Sequence, residues 1–333
     1  MTPSTSPLLE VRDLGVRLRT HAGAVDAVRA VSFTLQRGET LGLVGESGCG
    51  KSLTALALMG LLPEGAVTSG SLRFQGEEMA AADDAHWCRL RGDRIGMVFQ
   101  EPMTALNPVH TIGHQVAEPL RLHRGLSAQA ARRQAVELLD RVGIPDAARR
   151  FDAWPHQFSG GQRQRITIAM ALACSPDLLI ADEPTTALDV TVASQILELI
   201  ADLVRERGMA LLLISHDLAV IARNVNRMLV MYGGMVVESG PTREVFTHRA
   251  HPYTQGLLAS RPQLGPRAAG TDGRRARLAS IAGSVPELQH LPPGCPFADR
   301  CNVALPHCPT TLPSPVRVRE QHDARCLLLG RGE

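Results

Sequence analysis

The segment Gly45 to Ser52 most constrains what this chain can fold into. It reads Gly-Glu-Ser-Gly-Cys-Gly-Lys-Ser and fits the pattern G-x-x-x-x-G-K-S at every fixed position. The apolar run Thr40–Val44 before it predicts a strand, and Ser52–Leu62 after it predicts a helix. The backbone N–H groups of such a loop, with the N-terminus of the following helix, form a concave site for anions. Strand, glycine loop and helix in this order predict a nucleoside triphosphate site in an α/β fold.

Lys51 is the single lysine among 35 lysine and arginine residues. Arginine carries a planar fork, whereas lysine is a compact charge on a slim stem, and a loop that wraps closely around phosphates has room for the second. We therefore expect Lys51 to reach the β- and γ-phosphates and Ser52 to bind Mg²⁺. The predicted contacts of the loop are Gly45, Glu46, Ser47, Gly48, Cys49, Gly50, Lys51 and Ser52.

Composition restricts the classes of protein to which this chain can belong. The 333 residues are 44% hydrophobic and 20% charged, which is typical of one large domain with a smaller addition. A net charge of only +2 gives no support for nucleic-acid binding. The first residues lack the apolar stretch of a signal peptide, and no run is long enough to span a bilayer. We expect any membrane role to depend on a partner.

The order of predicted elements indicates a mainly parallel sheet with helices between its strands. Leu8–Leu18 and Val25–Leu35 alternate loosely and predict an N-terminal antiparallel β region. Strands recur at Leu178–Ala181 and Ala210–Ile214, and strand-helix alternation is typical of α/β folds. A helical insert is expected over about 101–175.

Two carboxylates follow the apolar run Leu178–Ala181 directly. Asp182 suits a Mg²⁺ ligand, and Glu183 suits the general base that polarises an attacking water. An isolated Asp-Glu pair is more often a solvated strand end. Because the chain also carries the phosphate loop, the sequence favours a hydrolytic site.

A second anion-binding motif, Ser159-Gly160-Gly161-Gln162, precedes the helical stretch Arg163–Ala173. A serine and two glycines at a helix start offer free N–H groups to an anion. A single active site does not need two anion-binding motifs for the same phosphates. With these motifs in this order, the chain resembles the nucleotide-binding subunits of ATP-binding cassette (ABC) transporters.

The resemblance assigns roles to matching positions. In that family the Ser159–Gln162 motif closes over ATP held by the opposite subunit. Gln100 corresponds to the glutamine that contacts Mg²⁺ and water, and Asp189, after Ala187-Leu188, to the residue that crosses the dimer interface. His216 corresponds to the histidine that contacts the γ-phosphate and holds the catalytic glutamate. The implied catalytic residues are Glu183, His216 and Gln100, the implied Mg²⁺ ligands are Ser52, Gln100 and Asp182, and the implied ATP contacts outside the loop are Gln100, Ser159, Gly160, Gly161, Gln162, Asp182 and Asp189.

The resemblance implies an ABC cassette over 8–258, with its helical subdomain at about 101–175, and a C-terminal oligopeptide-transporter extension over 259–333. The chain departs from the family at the residue that contacts adenine, which is usually aromatic. The stretch His21 to Val25 has no aromatic residue, which leaves His21 and Val25 as candidates.

Three further segments resemble the peptide and nickel importer branch: Gln100–Pro108, His251–Thr254 and Gly294–Cys301. The predicted function is the ATP-hydrolysing subunit of a dipeptide or oligopeptide importer, with nickel and glutathione importers as alternatives. A soluble ABC ATPase acting on nucleic acid or ribosomes is disfavoured, because the chain has one cassette and no long heptads. A non-catalytic regulatory partner is disfavoured by the intact Glu183 and His216.

The resemblance also implies partners. These are a second ABC ATPase subunit (a heterodimer is favoured), two membrane permeases and an extracytoplasmic substrate-binding protein, with no nucleic acid. The expected location is the cytoplasmic face of the inner membrane.

The C-terminal segment places four cysteines in a stretch with little apolar content: Cys295, Cys301, Cys308 and Cys326. Four thiols there indicate a metal in place of a core. The spacings lack the paired C-x₂-C of structural zinc sites, whereas an iron–sulfur cluster is held by four thiolates at wider spacing. Some dipeptide importer subunits hold a [4Fe–4S] cluster in this region, so the resemblance implies one here. Zinc and unligated thiols stay open.

Overall fold

The computed structural model describes residues 6–21, 23–186, 188–260 and 280–331. Ala22 of the stretch His21 to Val25, Ala187 before Asp189, and residues 261–279 and 332–333 of the extension therefore lie outside the described residues. Within the described ranges, no helix combines the length and the apolar character needed to cross a membrane.

Twelve strands occur in the described part of the chain. They are β1 (Leu9–Thr20), β2 (Gly23–Leu35), β3 (Thr40–Val44), β4 (Val67–Phe74), β5 (Glu77–Glu78), β6 (Ile95–Val98), β7 (Leu178–Asp182), β8 (Ala210–Ser215), β9 (Arg227–Tyr232), β10 (Met235–Pro241), β11 (Val316–Arg319) and β12 (His322–Ala324).

Eleven α-helices occur in the same ranges. They are α1 (Lys51–Leu58), α2 (Asp84–Leu90), α3 (Pro102–Ala105), α4 (Ile112–Arg124), α5 (Ala128–Arg141), α6 (Ala147–Arg150), α7 (Gly160–Ala171), α8 (Val190–Arg207), α9 (Leu218–Asn224), α10 (Thr242–His248) and α11 (Pro252–Ala259). Short 3₁₀ turns at Pro155–Gln157, Leu288–His290, Ala298–Arg300 and Leu329–Arg331 complete them.

The strands form two sheets. The first is antiparallel, in the order β2-β1-β4-β5, and the second has eight strands in the order β11-β12-β10-β9-β3-β8-β7-β6. In the larger sheet, β6, β7, β8, β3 and β9 are parallel, whereas β10, β12 and β11 continue it in antiparallel fashion. The predicted class is confirmed: an α/β fold with an antiparallel N-terminal region and a mainly parallel core sheet.

Register brings the chemical motifs to one edge of the large sheet. Val44 of β3 pairs with Ser215 of β8, and Asp182 of β7 pairs with Ile214. Val98 of β6 pairs with the neighbouring part of β7. Ligands of open α/β sheets bind beyond the carboxyl ends of the strands. The loops after β3, β6, β7 and β8 therefore meet where a ligand is expected.

The helical region between β6 and β7 is delimited by capping residues. The side chains of Thr111, Ser127 and Ser159 accept hydrogen bonds from backbone N–H groups at the starts of α4, α5 and α7. Such caps satisfy N–H groups that have no partner within the helix. α4 ends at Arg124 and is capped by Gly125, whose φ of 62° is the left-handed conformation that glycine adopts easily.

The C-terminal extension joins the core sheet through its own short strands. Glu238 of β10 pairs with Ala324 of β12, and β12 pairs in turn with β11. Cys295, Phe297 and Cys308 are buried in the same hydrophobic core as β7 and β8. The extension therefore shares the core of the cassette, which differs from the expectation of a metal in place of a core.

Candidate active site

The phosphate loop lies between β3 and α1, where close backbone approach requires its glycines. A Cβ on Gly45 would lie 2.3 Å from the carbonyl oxygen of Met231. Gly48 and Gly50 have φ values of 81° and 98°, in the left-handed region. Residues with a Cβ adopt that region only with strain, whereas glycine does not. The motif is therefore required by the geometry of the loop itself.

Lys51 begins α1 and points back into the loop. Its side chain is 5% exposed, and its Nζ donates to the carbonyl oxygens of Gly45 at 2.8 Å and Glu46 at 3.1 Å. The same Nζ lies 3.8 Å from Oε1 of Glu183. A buried cation is therefore held at the centre of the loop, next to the carboxylate predicted to act as the base.

Asp182 ends β7 beside Ser52. Burial raises the pKa of the Asp182 carboxyl group, while a hydrogen bond from the Ser52 hydroxyl acts against that rise. Its Oδ1 is buried and has no hydrogen-bond partner among the described residues. A buried, unpartnered carboxylate oxygen next to a hydroxyl fits the oxygen ligands that Mg²⁺ prefers. Ser52 and Asp182 are therefore a fitting donor pair for that ion.

The side chain of Glu183 contacts the other two predicted catalytic residues, Gln100 and His216. Its side chain is 12% exposed, and its φ of 45° is held in place by a backbone hydrogen bond to Ile214. Its Oε2 accepts from Gln100 Nε2 at 3.2 Å and from Thr186 Oγ1 at 3.0 Å. His216 Nδ1 lies 3.1 Å from the same oxygen and donates in the Nδ1–H tautomer. The three predicted catalytic residues are thus brought together, while Oε1 accepts from none of these three donors.

The second anion-binding motif lies at the start of α7. Ser159 Oγ accepts from the N–H of Gln162 at 3.3 Å, and Gln162 Oε1 accepts from the N–H of Ser159 at 3.2 Å. A Cβ on Gly161 would lie 2.7 Å from the Val192 side chain, so the motif packs against the start of α8. Asp189 caps that helix, because its Oδ1 accepts from the N–H of Val192 at 3.0 Å. Ser159, Gly160 and Asp189 are exposed to solvent.

Three residues at the site were missed by the sequence analysis. Thr186 follows Glu183 closely, and its hydroxyl could have been noticed as a partner for that carboxylate. Tyr253 and Arg300 both contact Glu46 of the phosphate loop, from positions 207 and 254 residues further along the chain. No local pattern signals such distant contacts.

The four C-terminal cysteines surround one small cavity, together with His251 and Phe297. They are free thiols, and burial raises the pKa of Cys295 to about 11. Among the residues that the structure describes, no three His, Cys, Asp or Glu side chains are arranged to hold a metal ion. The predicted cysteines therefore converge, without the ligand geometry of a metal site.

Comparison with known proteins agrees with these motifs. Residues 28–186 match the family model described as ABC transporter, and residues 237–308 match the C-terminal region of oligopeptide/dipeptide transporters. A Brucella ovis protein named for peptide import and ATP binding is 51% identical over 331 residues, covering 97% of this chain and 98% of that protein. A Brucella abortus protein with the same kind of name is 52% identical over 305 residues, covering 91% and 90%.

Solved structures are similar as well. The dimeric ATP-binding cassette MJ0796, in a post-hydrolysis state bound to ADP and Pi, is 30% identical with a TM-score of 0.64, over 71% of this chain and 99% of that one. CbiO1 of Clostridium perfringens, part of an ABC transporter complex, is 26% identical with a TM-score of 0.61, over 73% and 92%. The resemblance inferred from the motifs is confirmed. The chain belongs to the ABC transporter family as one of its ATP-binding proteins.

Proposed function

We propose that this chain is the ATP-hydrolysing subunit of a peptide importer. ABC ATP-binding proteins are ATPases, and the observation that carries hydrolysis here is the Glu183 carboxylate beside Lys51 at 3.8 Å. Support for peptides comes from the match to the oligopeptide/dipeptide transporter region and from relatives named for peptide import. The cassette is assigned to 8–258 and the extension to 259–333.

ATP binding is assigned to the phosphate loop. Its N–H groups and the N-terminus of α1 favour negative charge. Lys51 is assigned to the β- and γ-phosphates, for which it would exchange its hydrogen bonds with two loop carbonyls. Ser52 and Asp182 would hold Mg²⁺, which neutralises charge that develops on the phosphates.

Glu183 is assigned the role of general base. Its Oε2 is oriented by Gln100, Thr186 and His216, which leaves Oε1 to accept a proton from the attacking water. A base whose second oxygen is fixed by three donors loses little rotational freedom when the reaction begins. Gln100 and His216 therefore orient the base. Following the resemblance, Gln100 would also contact Mg²⁺ and water, and His216 would contact the γ-phosphate.

A second subunit is assigned to complete the ATP site. The Ser159–Gln162 motif and Asp189 are the supporting features, since both lie at helix starts on the surface. The similar cassette MJ0796 was solved as a dimer with ADP and Pi. We assign the motif of one subunit to the ATP of the other, with a related chain as the partner.

The remaining partners are two membrane permeases, which relatives named for peptide import imply, and an extracytoplasmic substrate-binding protein. ATP-driven closure of the two cassettes at the cytoplasmic face of the inner membrane would move the permeases. The binding protein and the permeases would recognise the peptide, and this chain would supply the energy of ATP binding and hydrolysis.

Uptake measurements test the substrate. Cells expressing the complete transporter with the wild-type chain are compared with cells carrying Glu183→Gln, using labelled dipeptide, oligopeptide, Ni²⁺ and glutathione in parallel. We expect the variant to abolish peptide uptake and to leave Ni²⁺ and glutathione uptake unchanged. Loss confined to Ni²⁺ or to glutathione would assign the chain to that importer instead.

The four-cysteine cavity supports a second proposal, a [4Fe–4S] cluster bound in the extension. The donor set fits, because iron–sulfur clusters are held by four cysteine thiolates. The raised pKa of the Cys295 thiol indicates that a bound cation would be needed to keep it ionised near neutral pH. The thiols would have to turn toward a common centre, since they do not have ligand geometry as described.

Anaerobic purification tests this proposal. We expect visible charge-transfer absorbance with about four iron and four sulfide per chain, lost in Cys308→Ser. Cys88→Ser is the matched control, because Cys88 lies on the exposed face of α2. One zinc per chain, or four thiols that alkylate readily without metal, would refute the cluster.

A further inference from the structure

Glu46, the second residue of the phosphate loop, has all of its polar groups engaged. Its carbonyl oxygen accepts from Lys51 Nζ, and its backbone N–H donates to the hydroxyl of Tyr253 at 2.9 Å. Its carboxylate receives both arms of one guanidinium, from Arg300 Nη1 at 2.6 Å and from Nη2 at 3.1 Å. Two of these three contacts come from residues beyond the catalytic motifs.

Arg300 is itself held firmly within the extension. Its side chain is 6% exposed, and its Nε donates to the carbonyl oxygen of Ala282 at 3.0 Å. The guanidinium carbon lies 5.7 Å from the centre of the Tyr232 ring and 6.0 Å from that of Phe297. Bidentate arginine–carboxylate pairs fix orientation as well as distance. The position of Glu46 is therefore set by the extension.

An aromatic cluster supports this contact. Tyr232 and Tyr253, the two tyrosines of the chain, lie 4.7 Å apart between ring centres, and Phe297 lies 5.1 Å and 5.3 Å from them. Aromatic residues make up only 3% of the sequence. The cluster joins β9, α11 and the extension next to the phosphate loop, where Tyr253 and Arg300 contact Glu46.

We propose that Arg300 is a positioning residue for ATP binding, which acts through Glu46 to hold the phosphate loop in its anion-binding shape. This inference rests on the proposed ATPase function and adds a role for the extension in it. Arg300 is assigned no contact with ATP or the reacting atoms, and it acts on the loop through Glu46. It fixes the loop that carries the Lys51 contact, so that the loop does not have to be ordered when the nucleotide binds.

The experiment is a double-mutant cycle in the full chain, with Arg300→Gln, Glu46→Gln and the pair combined. Binding of Mg²⁺ with the slowly hydrolysed analogue ATPγS is measured by calorimetry, and KM and kcat for ATP are measured in parallel. Arg317→Gln is the matched control, because Arg317 pairs with Asp323 on the exposed face of the same extension. Thermal unfolding of every variant is recorded.

Each single substitution is expected to raise the Kd and the KM about tenfold with kcat within about twofold, and the double variant to be no weaker than the single variants. The control is expected to match the wild-type chain. Wild-type affinity in both single variants, or a double variant about 100-fold weaker, would overturn the proposal. If Arg300→Gln does not fold, Arg300→Lys takes its place, because lysine keeps the charge but cannot form the bidentate pair with Glu46. Failure of the wild-type chain to bind ATPγS would instead refute the proposed function.

Discussion

Replacing Glu238 by alanine is expected to lower the free energy of unfolding by about 3–5 kcal/mol. The side chain of Glu238 on β10 is fully buried, as is that of His322 on β12. The Oε1 of Glu238 lies 2.7 Å from His322 Nε2, which donates in the Nε2–H tautomer, and it accepts from the N–H of Ala250 at 2.8 Å. Its Oε2 accepts from the N–H of His251 at 2.9 Å. One carboxylate thus joins the core sheet, the start of α11 and the extension.

The magnitude follows from what the substitution leaves behind. Two buried donors, on His322 and His251, and the half-buried N–H of Ala250 lose their acceptor, and each unsatisfied buried donor costs roughly 1–3 kcal/mol. Water entering the space left by the shortened side chain offsets part of that cost, so the expected total loss of stability is about 3–5 kcal/mol. For a chain of this size the melting temperature would fall by roughly 5–15 °C.

Urea and thermal unfolding measure this directly. Glu244→Ala is the matched control, because Glu244 on α10 is 37% exposed and pairs with His248, and such exposed pairs contribute less than about 1 kcal/mol. A loss below about 1 kcal/mol for Glu238→Ala, equal to that of the control, would refute the conclusion that this carboxylate anchors the extension.

Three other substitutions test separate parts of the structure. Gly113→Ala is expected to destabilise the fold by about 1–3 kcal/mol in urea unfolding, although alanine favours helices, because its Cβ would lie 2.3 Å from the Phe151 ring; an increase in stability would contradict the packing. Lys51→Arg is expected to weaken ATPγS binding at least about 100-fold in calorimetry, because the buried loop has no room for the planar fork; wild-type affinity would refute this. The pKa of Glu78 is lowered to about 2, chiefly by the Ser71 hydroxyl, so its stabilising effect exists above its ordinary pKa of 4.5 and disappears as pH falls toward 2. The stability difference between the wild-type chain and Glu78→Gln should therefore shrink over that pH range, and a constant difference would contradict the assignment.

Much of the active site was predictable because its residues directly follow buried strands. β3 is short and apolar after Thr40, and β7 is apolar up to its last residue, Asp182, so the sequence shows where the phosphate loop begins and where Asp182 lies. Parallel strands then bring such ends to one edge, and the contact between Glu183 and His216 follows from that register. At these residues the local sequence pattern and the topology of the sheet predict the same site.

Other strands were missed for identifiable reasons. β4 is mostly exposed and polar, so neither alternation nor an apolar run indicates it. β9 is an apolar run that was not recognised, although Met228 to Tyr232 is wholly buried. β11 and β12 have four and three residues, and fully buried His322 gives no apolar signal. No strand of the extension was therefore expected in the core sheet.

The contact of Arg300 with Glu46 could not be predicted from spacing. The two residues are 254 positions apart, and each belongs to a motif that has another explanation. Glu46 lies in the phosphate loop, and Arg300 lies among the four cysteines. Only the packing of the extension beneath the loop shows that the two segments meet.

Glu183 is assigned as the base for ATP hydrolysis, and steady-state ATP turnover by Glu183→Gln tests this role most directly. Glutamine keeps the size of the side chain and an oxygen for the three donors, but it cannot accept the proton of the attacking water. We expect ATPγS affinity within about threefold of the wild-type chain and kcat lower by at least about 100-fold. Glu137→Gln, on the exposed face of α5, is expected to retain full turnover. A Glu183→Gln chain that binds and hydrolyses ATP at the wild-type rate would contradict the claim.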